Sequence, residues 1–464
     1  MLFNSYSFVL AFLPLSLVLF YTISSRSPQA GKLVLLLLSL IFVSSSGIYH
    51  GLIALGSTLV NYCICRQMRT AVAGKKGLLT AGILFNISLL CFFKFAPVFG
   101  LSIAFPMGLS FYCFQQIAFL ADSYNQAADV SLTDYSIFVL FFPKVVQGPI
   151  PYGSELLPRL HRPAEGGFRF ERFSSTLYLF AMGLAKKVLL ADKFAIIADH
   201  GFSSIGMLTS FEALLTILAY TFQLYFDFSG YSDMAVAVGR MFGIELPENF
   251  NSPYKARNIT DFWRRWHITL SRFLTKYIYI PLGGNRRGTL RTWLNILIVY
   301  LVSGIWHGTG ATFLVWGLLH AAASIAYRLL KKPYDRLPGP LQWCIQFAFI
   351  NVTWVFFRAP SLQAAGALLR RLCAGIWTPT INAELAESLL QPTFISLVSQ
   401  FLPVHITVLL GFAAAMAMVV SAKNSTERSL DFRPGFATLL ATYLLLLCSI
   451  LSLAGVSSFL YTNF

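Results

Sequence analysis

The chain has 464 residues, of which 56% are hydrophobic and 15% aromatic, while only 12% are charged. Charged residues make up roughly a quarter of an ordinary soluble domain, so this composition excludes a soluble fold and points to a protein solvated by lipid. The formal net charge of +16 does not point to nucleic acid, because the Lys and Arg residues sit in short clusters between apolar runs.

The first apolar run, Phe8 to Ile23, has no Lys or Arg before Arg26, and no small-residue cleavage site follows it. It is expected to be a retained span rather than a signal peptide. Further apolar runs lie near residues 32–46, 50–65, 78–95, 101–121, 172–191, 209–227, 291–306, 311–330, 341–357, 398–421 and 436–455. Several fall short of the ~20 residues that cross a bilayer alone. The expectation is an all-α polytopic membrane protein with about ten or eleven membrane helices, plus re-entrant and interfacial pieces.

Basic clusters separate the runs: Arg26/Lys32, Arg66/Arg69/Lys75/Lys76, Arg159/Arg162/Arg169/Arg172, Arg286/Arg287/Arg291 and Lys331/Lys332/Arg336. The positive-inside bias assigns these loops to the cytoplasm, which puts the amino terminus outside. The seven cysteines are scattered, with no CxxC pair, so neither a disulfide framework nor a metal site is implied.

Two polar stretches interrupt the apolar pattern, Gln147 to Arg172 and Gly230 to Arg291, and shorter polar constellations lie beside them. FFPKVVQGPIP, with Lys144 and Gln147, reads as a broken membrane element, and the chain from Gln147 to Arg172 reads as a loop. FQLYFDFSGYSDMA places Asp227 and Asp233 on either side of Gly230, and packing of a polar turn between helices is the favoured explanation. Gly230 to Arg291 looks too polar to span.

Within it, Thr260-Asp261 followed by FWRRWHITLSRFLTKY predicts a capped, continuous helix lying in the interface. Phe262, Trp263, Trp266, Leu270, Phe273, Leu274 and Tyr277 share its apolar face, and Arg265, Arg272 and Lys276 the basic one. His267 falls on the border between the two. The following YIPLGGNRRG is a turn able to offer backbone amides, Arg286 and Arg287 to phosphate.

Ionisable groups inside apolar spans are costly, which makes His307, in SGIWHGTG, the leading functional candidate. Gly308 and Gly310 allow a chain break just after it. In one continuous helix His320 would lie roughly 220° around from His307, which favours a structural role for His320. A desolvated, neutral imidazole suits general-base removal of a proton from a hydroxyl attacking a thioester. His267 is the candidate for orienting that base or stabilising the oxyanion.

DFSGYSDMA (227–235), PENFNSPY (247–254), DFWRRWHITLS (261–271), YIPLGGNRRG (279–288) and GIWHGTGATFLVWGLLHA (304–321), together with FFPKVVQGPI (141–150), resemble the bacterial branch of the membrane-bound O-acyltransferases. The likeness runs to about residue 370. It implies one domain over 1–464, with a motif-bearing core at about 100–330 and C-terminal helices over 341–464. Its helices would ring a central tunnel. It also implies catalytic roles for His307 and His267, and a cytoplasmic acyl thioester, acetyl-CoA above all, as donor. No tightly bound cofactor or metal is implied. Arg264, Arg265, Arg286 and Arg287 are the expected donor-side cations.

The branch members most similar in motif O-acetylate alginate, cellulose or peptidoglycan; D-alanyl transferases are more distant. Such members sit in the bacterial inner membrane and often work with an exported esterase-like partner. A secondary transporter is the competing reading, motivated by Asp227, Asp233 and the stretch around Lys144. The chain departs from the family near 374–397 and in its terminal FLYTNF, where relatives are closer to FLYFQF.

Overall fold

The computed structural model describes residues 1–71, 73–126, 129–160, 169–377, 381, 402–453 and 459–460. Among these residues the regular structure is entirely helical. The amino-terminal half comprises α1 (Leu13–Ser24, entered through a π turn at Ser7–Phe12), α2 (Pro28–Ser44), α3 (Ile48–Thr70), α4 (Lys75–Phe95) and α5 (Leu109–Asn125). Short helices α6 (Leu132–Leu140), α7 (Phe142–Val145) and α8 (Gly153–Leu160) lead into α9 (Phe170–Ala185), α10 (Asp192–Ser203) and α11 (Ser210–Met241). Next come α12 (Ile259–Arg265), α13 (Ile268–Leu274), α14 (Thr289–His307), α15 (Ala311–Leu329), α16 (Lys331–Asp335), α17 (Gly339–Arg358) and α18 (Leu362–Leu372). The described chain closes with α19 (Val404–Val420), α20 (Ser425–Leu430) and α21 (Phe436–Leu451).

Helix starts follow from local chemistry. Ser27 caps α2 through Ala30 N–H, with Pro28 at the first turn, and Thr209 forms a reciprocal capping box with Glu212 at α11. Six helical segments among the described residues are long and apolar enough to cross a membrane: Ser7–Ser24, Ile48–Thr70, Lys75–Phe99, Thr289–His307, Ala311–Leu329 and Gly339–Arg358. Three more, Pro28–Ser44, Val404–Val420 and Phe436–Leu451, are apolar but shorter. Their exposed Leu, Ile, Val and Phe side chains form the belt that a bilayer covers.

The chain is organised around α11, whose 32 residues are almost all buried. At 1.5 Å per residue it runs about 48 Å, longer than a hydrocarbon core. The sequence pattern predicts an interruption near Gly230; instead the helix continues through it to Met241. The polar residues do not break it, because Lys187 and Lys186, from the π turn after α9, meet Asp227 at 2.8 Å and Asp233 at 2.7 Å. Around Lys144 the chain is broken as expected, with Phe141 between α6 and α7. The Lys144 ammonium is buried and donates to Gln115 Oε1 and to the carbonyl of Val139.

The two ends of the helix array differ in charge. At one end Lys32 pairs with Asp134, Arg69 with Asp129 and Lys276 with Asp122, while Tyr21 Oη donates to the Met241 carbonyl and Lys255 Nζ to that of Ala422. The clusters Arg26/Lys32 and Arg66/Arg69/Lys75/Lys76 lie there, at the α1–α2 and α3–α4 junctions, while Arg162 lies outside the described residues. At the other end Met1 bonds Ser45, Met107 N–H donates to His50 and Ser210 N–H to the Ile376 carbonyl.

Candidate functional site

α14 and α15 form an antiparallel hairpin whose turn, Gly308–Gly310, leaves His307 as the last helical residue. The helices approach backbone to backbone: a Cβ on Gly304 would sit 2.5 Å from the Phe313 carbonyl oxygen, and one on Gly317 would sit 2.6 Å from that of Tyr300. No larger residue fits either contact. Gly317→Val is therefore expected to cost at least ~1–3 kcal/mol by overpacking, read as a lower melting temperature of the purified protein in detergent.

That contact holds the His307 ring, 3% exposed, among Trp306, Trp316 and Phe357 at centroid distances of 4.7, 5.2 and 5.0 Å. From α4, Lys94 Nζ donates to the Trp306 carbonyl, next to His307. His320, on α15, accepts a 3.3 Å hydrogen bond at Nδ1 from Trp263 Nε1 of α12. It ties two helices together, the structural part expected of it.

His267 is placed differently from the expected continuous helix. α12 is capped by Asn258 rather than Thr260, and it ends at Arg265. His267 itself adopts φ 44°, ψ 54°, the left-handed region, and α13 begins only at Ile268. For a residue with a Cβ that conformation costs ~1–3 kcal/mol, and something must over-determine it. Here the segment 249–251 takes the backbone groups that a helix would use. Asn251 N–H donates to the Arg265 carbonyl at 2.9 Å, and Ile268 N–H donates to the Asn249 carbonyl at 3.0 Å. The kink turns the imidazole inward, 1% exposed, instead of leaving it on the border of an interfacial helix. It packs edge-on to Phe228 at 4.7 Å, and neither ring nitrogen meets a hydrogen-bonding partner among the described residues.

Trp306 lies between the two histidines, 6.2 Å from the His267 ring and 4.7 Å from that of His307. Residues 40 apart in sequence thus share one aromatic wall. A cavity of about 710 Å³ is lined by Ile268, next to His267, by Ser271 and by Ser303, one turn before His307, though by neither histidine itself nor by Trp306. It reaches Lys276 and so opens toward the basic end.

Of the four expected donor-side arginines, only Arg264 lines this cavity. Arg265 is paired with Asp261 at 2.8 Å, and Arg286 and Arg287 are exposed on the turn before α14. Arg272, Lys276 and Arg328 line it instead. Arg272 pairs with Glu155 and Lys276 with Asp122, and both lie over the Tyr152 ring. Arg264 and Arg328 have no ion-pair partner among the described residues. Arg328 stands at i, i+4, i+8 spacing with His320 and Ser324, a helical-face signal that the sequence itself carries.

Residues 83–362, which contain both histidines and the cavity, match the profile of the membrane-bound O-acyltransferase family. The chain is 39% identical to a peptidoglycan O-acetyltransferase of Helicobacter pylori, over 84% of this chain and 83% of that one. It is 36% identical to a probable alginate O-acetylase of Pseudomonas aeruginosa, over 81% and 76% of the two chains. With a teichoic acid D-alanyltransferase of Bacillus subtilis the identity is 26%, over 54% of this chain and 68% of that one.

Proposed function

The chain belongs to the membrane-bound O-acyltransferase family, and from that premise we propose that it carries an acetyl group from a cytoplasmic thioester to an extracytoplasmic polysaccharide or peptidoglycan. It is an acyltransferase and a multi-pass membrane protein. O-acetyl transfer is favoured over D-alanyl transfer, because likeness to the O-acetylating relatives covers four fifths of the chain and likeness to the D-alanyl transferase only 54%.

One observation carries the mechanism: two buried histidines share the Trp306 wall beside a cavity open to the basic end. His307 takes the proton of the acceptor hydroxyl as its oxygen attacks the thioester carbonyl. The C–S bond then breaks, an ester remains on the acceptor, and the departing thiolate receives the proton from the imidazolium. His267 faces the developing oxyanion or orients the reacting carbonyl.

The positive-inside rule makes the basic end cytoplasmic and the amino terminus extracytoplasmic, in a bacterial inner membrane. Acetyl-CoA then enters the cavity from inside. Its phosphates would meet Arg264 and Arg328, the two lining guanidiniums not already neutralised. An exported esterase-like partner, completing delivery to the polymer, fits this arrangement. The exporter reading loses its two carboxylates, since Asp227 and Asp233 are each held by a lysine.

The test is purified protein in vesicles given labelled acetyl-CoA. Release of free CoA with label passing to a hydroxyl acceptor is the expected result; label crossing the membrane as intact acetyl-CoA would instead support export. Arg264→Ala and Arg328→Ala are each expected to raise KM for acetyl-CoA roughly 10-fold, the worth of one charge-assisted hydrogen bond, with kcat little changed.

A further inference from the structure

Among the described residues, only Ser252 and His267 are non-glycine residues with positive φ, and they lie on two segments hydrogen-bonded to each other. The segment carrying Asn249 grips the far side of the His267 kink with three bonds. Its backbone carbonyl accepts from Ile268 N–H at 3.0 Å, and its side-chain Oδ1 accepts from Thr269 N–H at 3.2 Å and from the Thr269 hydroxyl at 2.6 Å. The same hydroxyl accepts from Ile150 N–H at 3.0 Å, anchoring the pair to the loop after α7. Asn249 and Thr269 are each 1% exposed. Phe250, next to Asn249, is wedged between Phe228 at 5.0 Å and Trp266 at 5.1 Å, so the gripping segment is itself held.

In an uninterrupted helix the amides of Ile268 and Thr269 would bond to the carbonyls of Arg264 and Arg265. Here both are taken by Asn249, and the Arg265 carbonyl is taken by Asn251. With the Asn249 side chain removed, Thr269 N–H loses its acceptor, and residues 266–268, then held only by the backbone bonds of Asn249 and Asn251, can relax toward right-handed helix. That relaxation would rotate the imidazole away from Phe228 and Trp306, toward the border position that the bare sequence pattern gives it.

We infer that Asn249 and Thr269 are positioning residues, whose hydrogen bonds hold His267 in its left-handed turn and thereby aim its imidazole at the wall it shares with His307. The inference rests on the reading of His267 as part of the acyl-transfer site. Neither residue touches the reacting atoms; each acts through His267. The consequence is a loss of turnover with donor binding kept, because the donor-side cations stand on other residues.

The experiment measures kcat and KM for acetyl-CoA on the full chain in vesicles, using Asn249→Ala, Thr269→Val, Thr269→Ser and His267→Ala. Asn249→Ala and Thr269→Val are expected to lower kcat by up to roughly 100-fold, the cost of a catalytic group displaced by about 1 Å, with KM within about twofold. Thr269→Ser keeps the hydroxyl and should restore most of kcat. Added to His267→Ala, Thr269→Val should lower kcat no further, since the group it positions is gone.

Wild-type kcat in Thr269→Val, alongside an impaired His267→Ala, would overturn the clamp and leave the proposed function standing. The clamp fails in the same way if Thr269→Val lowers kcat by an equal factor with and without His267. Collapse of the fold in both Asn249→Ala and Thr269→Val would also overturn it, because a clamp confined to this turn leaves the spans intact. Full turnover in His307→Ala and His267→Ala together would remove the proposed function and the clamp with it.

Discussion

Replacing His307 with Ala is expected to reduce acetyl transfer by at least ~10²–10⁴-fold while the protein remains inserted and monodisperse. His307 is the last residue of α14, so truncating its side chain leaves the hairpin contact of Gly304 and Gly317 untouched. The ring is enclosed by Trp306, Trp316 and Phe357, and these aromatic neighbours also pack on one another, Trp316 against Phe357 at 5.5 Å. The wall therefore survives loss of the imidazole. His307→Gln separates chemistry from volume, since glutamine fills most of the space and can hydrogen-bond but cannot accept a proton near neutral pH. Both variants should be equally inactive in CoA release from labelled acetyl-CoA, and both should melt within a few degrees of the parent. Retained turnover in His307→Gln would mean that position 307 positions the acceptor and takes no proton.

The membrane class, the apolar runs and the motif-borne histidines are legible in the sequence because each is local: a run of apolar residues, or an ionisable group inside one. What escapes a reading of the sequence depends on distant partners. FWRRWHITLSRFLTKY has the periodicity of one helix, and nothing within it announces the break at His267; the bonds that impose it come from Asn249 and Asn251, across intervening chain. Asp227 and Asp233 read as a polar turn because the lysines that neutralise them lie 40 and 47 residues earlier. Arg264, Arg265, Arg286 and Arg287 are the cations expected on the donor side. The fold instead leaves Arg286 and Arg287 exposed and brings Arg328 in from α15. Most of the 374–397 stretch and all but the first two residues of FLYTNF lie outside the described residues.

The largest stability effect is expected at Lys187, not at the histidines. Its ammonium, 1% exposed in the side chain, lies 2.8 Å from Asp192 and 2.8 Å from Asp227, and 4.9 Å over the Phe459 ring. The second oxygen of Asp227 accepts from Leu460 N–H at 3.0 Å, so the same carboxylate also holds Leu460. Lys187→Met keeps the length of the side chain and removes its charge, leaving the two carboxylates without the cation between them. Breaking a buried pair from one side costs ~3–5 kcal/mol, because the abandoned charge keeps its full desolvation penalty. Removing the opposing charge as well, in Lys187→Met/Asp227→Asn, should recover a good part of that loss, since the penalty rather than the attraction dominates. The check is the melting temperature of each variant in one detergent: a large drop for Lys187→Met and a smaller one for the double variant. An unchanged melt in Lys187→Met would mean that water solvates the pair. Activity should fall further than stability alone requires. Asp227 is followed directly by Phe228, whose ring meets His267 at 4.7 Å, so any slip of α11 against the turn after α9 reaches the proposed site within one residue.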